Sequence, residues 1–232
     1  MTNRNRIFLL SPANLSGIRA GYVLRDNAES DLACRLRHGG VSLGELFAFL
    51  SSLYFRGKLA YARAFSAPPL GLSGSYVITA TAGLVDPETI VTLEQVREMA
   101  TGKIETDDRR YRDSFDLSCR MLSKSISESI NKECDIVLLG SIATPKYVEP
   151  LLQAFGECLL FPSEFVGRGD MSRGGLMLRA VEAQTELAYA PVLNATRHGA
   201  RPPKLLPVGR AYSARNGQAQ LAPKTQSPGY VK

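Results

Sequence analysis

The apolar positions of the chain change period several times, and each change marks an element. Arg6 to Leu10 (RIFLL) is a compact apolar run closed by Ser11-Pro12, the pattern of a buried strand. Asp135 to Leu139 (DIVLL), followed directly by Gly140-Ser141, is the clearest strand of the chain. SYVITA, from Ser75 to Ala80, and Cys158 to Phe161 predict two more. Helical spacing fills the intervals. Ala28 to Arg37 carries Leu32 and Leu36 four apart and stops at Gly39-Gly40. From Leu43, the residues Leu46, Phe49, Leu50 and Leu53 share one face. SSLYFRGKLAYARAF continues that register, with a break predicted at Gly57 and an end at Pro68-Pro69. Thr92 and Gln95 have the spacing of a capping box ahead of a helix to Ala100. Phe115, Cys119, Leu122, Ile126 and Ile130 form the apolar stripe of a helix from Asp113 to Ile130.

The stretch Leu159 to Arg179 (LLFPSEFVGRGDMSRGGLMLR) resists a single reading. Two glycines in a first turn would cost a helix about 1 kcal/mol each relative to alanine. The preferred expectation is a helical turn at Asp170 to Arg173 followed by a hairpin. The alternative is a helix beginning at Asp170 with Leu176, Met177, Ala180 and Val181 on one side. Strands alternating with helices predict an α/β fold, a single domain whose mainly parallel sheet is flanked by helices. No internal repeat interrupts that order.

Charge alters this picture only at the end of the chain. The net charge is +6, but from Leu193 onward there are seven basic residues and no acid, which leaves the remainder near neutrality. Five prolines lie in the same segment. The expected organisation is an α/β domain over residues 1–193 and a basic, Pro-rich, disordered tail over 194–232. A tail of that kind is either inert or a cationic arm for nucleic acid; its dispersed charges favour the first. No apolar run is long enough to span a membrane, and the patch at Ile7 to Leu10 is too short for a signal sequence, so a cytoplasmic location is expected. Four scattered cysteines and two histidines give no metal-ligand spacing, and no cofactor or metal is expected.

The candidate chemistry gathers in two places. One is the glycine- and arginine-rich loop, where Gly167, Gly169 and the forks of Arg168 and Arg173, with Asp170 and Ser172, suit an anionic ligand. The other is the set of strand ends: Ser11 and Asn14 after the first strand, and Gly140 and Ser141 where a strand turns into a helix. There is no Walker phosphate loop, GxGxxG, GxSxG or HExxH pattern. A serine triad is implausible with two histidines, one of them in the tail. Glu164, flanked by Phe161, Phe165 and Val166, is the leading acid–base candidate, on the expectation that these apolar neighbours desolvate it. Basic residues interleaved with Tyr54 and Tyr61 around Arg56, Lys58 and Arg63 could bind a nucleotide, but a solvated helix face is the commoner use of such a pattern.

Three short segments resemble the YaaA family of peroxide-stress proteins and related bacterial domains: LLSPAN at Leu9 to Asn14, TAGLVDPETIV at Thr81 to Val91, and GRGDMSRGGLML at Gly167 to Leu178. Asn14 stands where that family has lysine, and Gly174-Gly175 interrupt an apolar continuation. The resemblance implies an α/β protein associated with nucleic acid or oxidative damage, with Ser11, Pro12 and Asn14 near Arg168, Ser172 and Arg173. The arrangement is also similar to nucleoside deoxyribosyltransferase-like folds, which would make Glu164 the group acting at an N-glycosidic bond. Three functions remain open on these grounds: a nucleic-acid- or nucleotide-binding protein, an enzyme acting on a nucleotide or nucleobase, and a protein-interaction module.

Overall fold

The structure is a computed structural model and describes residues 4–130 and 133–205. The elements in order are β1 (Asn5–Leu10), α1 (Ile18–Leu24), α2 (Asp31–His38), β2 (Val41–Ser42), α3 (Leu43–Ser51) and α4 (Leu53–Phe65). Then come β3 (Ser75–Ile78), β4 (Leu84–Val85), β5 (Ile90–Val91), α5 (Leu93–Thr101) and α6 (Arg109–Glu128). The last five are β6 (Cys134–Leu139), α7 (Pro145–Phe155), β7 (Leu159–Pro162), α8 (Asp170–Glu182) and β8 (Tyr189–Pro191).

Six strands form one sheet in the order β4-β3-β1-β6-β7-β8, and β2 pairs with β5 apart from it. The four inner strands are parallel; β4 and β8 close the edges antiparallel. The mainly parallel α/β architecture expected from the sequence is therefore present. The chain runs from β1 outward to β3, then crosses back to β6 on the other side of β1. That reversal places a topological switch point at the carboxyl ends of β1 and β6.

The inner strands are apolar on both faces because helices cover both. Phe8, Leu10, Val137 and Leu139 point into a core built with α1 to α5 and α8. Ile7, Leu9, Ile136 and Leu138 point into a second core against α6 and α7. The capping box at Thr92 and Gln95 forms with both of its hydrogen bonds.

Two expectations need correction, and one element has no counterpart in the sequence pattern, the helix Ile18–Leu24. The helix break falls at Ser52, held at φ +49°, and not at Gly57, which lies inside α4. The hairpin after Gly175 does not form, because the segment is the thirteen-residue helix α8. The reason is a close crossing of α4 and α8. A Cβ on Gly57 would stand 2.7 Å from the carbonyl oxygen of Gly174, and one on Gly174 would stand 2.7 Å from that of Leu53. The intrinsic helix cost of Gly174 is offset by backbone-to-backbone packing that no larger residue allows.

The compact unit runs on to Pro202. Val192 is fully buried, and Gly199 and Ala200 pack against Gly167. The first part of the segment read as a tail thus belongs to the body. Residues 206–232, on which the rest of that expectation falls, lie outside the described residues. Among the described residues no helix is long and apolar enough to cross a membrane.

Candidate functional site

A crevice of about 400 Å³ opens across the carboxyl ends of β1, β3 and β6. Its walls are the loop Pro12–Ser16 after β1, Thr79 and Ala80 after β3, the end of α5 with the following loop to Glu105, and the first turn of α7. The β1 loop is shaped by Asn14, whose Oδ1 accepts from the Ser16 amide at 2.9 Å and from the Ser16 hydroxyl at 2.8 Å. Thr79 is occupied with its own turn, donating to the Gly83 carbonyl at 2.9 Å. The ionic groups on the crevice are Lys103, Glu105 and Lys146, two cations and one acid. Apolar surface comes from Phe47, Met99 and Ile104.

Behind this crevice lies a polar nest at the end of β1. Ser11 is buried, and its hydroxyl faces Leu139 and Gly140 at the end of β6. Lys58 reaches it from the middle of α4. Its Nζ donates to the Ser11 carbonyl at 2.7 Å and lies 2.8 Å from the Ser11 hydroxyl. The Lys58 side chain is wholly buried, and its amine sits 3.8 Å above the centre of the Tyr54 ring. No carboxylate lies within 4.0 Å of it among the described residues. Burial without a counter-ion drags the Lys58 ammonium down to about 7; Asp170 opposes the shift and Arg173 adds to it. The Tyr54 hydroxyl is also buried, beside Ser11 and Arg173, but makes no hydrogen bond of good geometry. Desolvation, with Asp170, pushes it up to about 12.

The glycine- and arginine-rich loop is a different kind of place. Arg173 donates from Nε and Nη2 to the Phe165 carbonyl at 3.2 and 3.1 Å and meets Asp170 at 3.5 Å. Arg168 donates to the Glu164 carbonyl at 3.0 Å and reaches the Ser172 hydroxyl at 3.4 Å. Gly167 adopts φ +72° and admits the Ala200 carbonyl where a side chain would stand. Gly169 caps α8 without a side-chain hydrogen bond. These residues hold one another and the chain around them; among the described residues none from 164 to 175 lines the crevice. Glu164 is exposed in a single 3-10 turn, so the desolvation expected from its apolar neighbours does not occur.

The predicted residues therefore separate. Ser11 and Gly140 meet at the nest, and Asn14 lies on the crevice. Ser141 accepts from the Ala143 amide at 3.3 Å and builds the turn into α7. Asp170 and Arg173 approach the nest from α8 and act on Tyr54 and Lys58. Arg168, Ser172 and Glu164 remain with the loop. Lys58 was not among the candidates, because a lysine between two aromatic residues of a helix reads as part of a solvated face. The only signal was indirect: Tyr54, Lys58 and Tyr61 fall on positions three or four apart, and Leu59 and Ala62 extend the apolar coverage round the helix.

Among the described residues no group of three or more His, Cys, Asp or Glu could hold a metal. A comparison of the chain with models of protein families, with curated proteins and with solved structures finds no match in any of the three.

Proposed function

We propose that the protein binds a phosphorylated, nucleotide-like small molecule in the crevice at the carboxyl ends of β1, β3 and β6. The observation that carries this reading is the position of the crevice, beside the switch point of a parallel sheet, where α/β folds hold their ligands. Its composition agrees: an apolar floor for a base and two lysines on the rim for phosphate. Its volume favours a mononucleotide or dinucleotide over a nucleic-acid strand, since about 400 Å³ encloses a small molecule and not a polymer. Lys146, in the first turn of α7, is the phosphate contact, and Asn14 and Ser16 meet the polar edge of the ligand. The arginines of the 167–175 loop support the fold of the site and do not touch the ligand.

The test is calorimetric titration with nucleoside mono-, di- and triphosphates, a dinucleotide, and single-stranded DNA and RNA. Binding of a nucleotide, weakened about tenfold or more in Lys146→Ala, is expected from the loss of a charge-assisted contact. Absence of binding by every nucleotide, or equal affinity in Lys146→Ala, removes the crevice as a nucleotide site. Tighter binding of the oligonucleotides than of any nucleotide would turn the reading toward a nucleic-acid protein.

A further inference from the structure

The nest behind the crevice holds more than the binding of a nucleotide requires. Burying a lysine amine with no counter-ion opposes folding, and a neutral donor would satisfy the Ser11 carbonyl at smaller cost. A second buried polar group at the same spot, the Tyr54 hydroxyl, lies beside Ser11 and Arg173 but makes no hydrogen bond of good geometry. Two such departures from ordinary packing around one serine hydroxyl, at the ligand end of the central strand, point to chemistry.

We propose that Ser11 and Lys58 form a serine–lysine dyad, with the Tyr54 hydroxyl donating to the oxyanion, and that the site hydrolyses a carboxylic ester carried by the ligand of the crevice. This rests on the crevice being the ligand site. The geometry is that of an activated nucleophile: the amine lies 2.8 Å from the hydroxyl, within reach of its proton. A desolvated amine can take that proton near neutral pH, which an exposed lysine cannot. Pro12 and Ala13, which follow Ser11, line the crevice, and so does Tyr147. Ser11, Lys58 and Tyr54 are buried directly behind that wall, so the ester reaches Ser11 past Pro12 and Ala13.

In the reaction the Ser11 oxygen bonds to the ester carbonyl carbon and its proton passes to the Lys58 amine. The carbonyl oxygen, now anionic, accepts from Tyr54. Collapse breaks the bond to the alcohol oxygen, which takes the proton from Lys58. Water then attacks the acyl-serine, giving a proton to Lys58, which returns it to the Ser11 oxygen as the acid leaves. Ester and water become acid and alcohol, and no other reactant is consumed.

A dialkyl fluorophosphonate tests the dyad without knowledge of the substrate. The wild-type chain should be phosphonylated once, at Ser11 by peptide mapping, with release of fluoride. The rate should fall about a hundredfold or more in Lys58→Met and about tenfold in Tyr54→Phe, the range for loss of a general base and of one donor. Should Lys58→Met not fold, the pH profile of the wild type takes its place. Labelling should rise through neutrality and then level. The charged and titratable groups facing Lys58 are Tyr54 on α4 and Asp170 and Arg173 on α8, and Tyr54, pushed up to about 12, holds its proton throughout. An unlabelled wild type, labelling at another residue, an unchanged rate in a folded Lys58→Met, or a pH-independent rate overturns the dyad. Labelling at Ser11 in a protein that binds no nucleotide keeps the dyad and removes the nucleotide; nucleotide binding without labelling does the reverse.

Discussion

The loop from Glu164 to Gly175 and the nest at the end of β1 invite opposite first impressions. The loop is dense in residue types that bind ligands, and it uses most of them on itself. The Arg173 fork is taken up by the Phe165 carbonyl and Asp170. Arg168 holds the Glu164 carbonyl. The glycines permit a positive φ and a close helix crossing. The nest contains one serine, one lysine and one tyrosine, yet it holds an amine without a counter-ion and a buried hydroxyl with no hydrogen bond of good geometry. Residue type says what a side chain can do; unspent capacity shows where it can act.

Four measurements would break or sharpen this contrast, beginning with the largest effect. If the loop's glycines serve packing, Gly174→Val should destabilise the fold by at least about 3 kcal/mol in urea denaturation, since the new side chain meets Leu53 backbone directly. A loss below about 1 kcal/mol would free Gly174 for a role at a ligand. The second measurement concerns Lys58. Its pKa in the fold, about 7, lies below the ordinary value of 10.5. The unfolded chain therefore holds more protons at this group between those two pH values, and stability rises with pH across that window. The gain is on the order of a few kcal/mol. Subtracting the profile of Lys58→Met from that of the wild type should isolate this rise; a flat difference would mean the amine is not desolvated.

The third variant separates support from binding. Arg173→Ala should cost about 1–3 kcal/mol through loss of the bonds to the Phe165 carbonyl, with nucleotide affinity measured by calorimetry changed less than in Lys146→Ala. The reverse ranking would return the ligand to the loop. The smallest effect is expected at Glu164. An exposed glutamate at a turn should tolerate Glu164→Gln within about 0.5 kcal/mol, and fluorophosphonate labelling at Ser11 should continue at the wild-type rate. A large fall in that rate would make Glu164 part of the chemistry.

Local pattern was legible wherever neighbours in sequence are also neighbours in space. β1 and β6 are apolar on both faces and stand out as runs. Of the stripe expected on α6, Phe115, Cys119, Leu122 and Ile126 are buried and Ile130 lies exposed beyond the helix end; the capping box of α5 is a three-residue matter. Of the strand-end positions, Asn14 lies on the crevice, whereas Ser11 and Gly140 are buried behind it. α8 was misread because its glycines were weighed against helix propensity alone, while their compensation lies on α4. Lys58 was passed over because its partner is 47 residues away.

The sequence by itself determined the class of fold and the central strands, since period and caps depend on contacts a few residues apart. Only the tertiary structure decided which ionisable groups are spent and which are left over. Desolvation and hydrogen-bond satisfaction belong to places where distant segments meet: α4 against β1 for Lys58 and Ser11, α4 against α8 for Tyr54 and Arg173. The same lysine on an exposed face of α4 would be an ordinary solvated cation; beneath the end of β1 it is a desolvated amine.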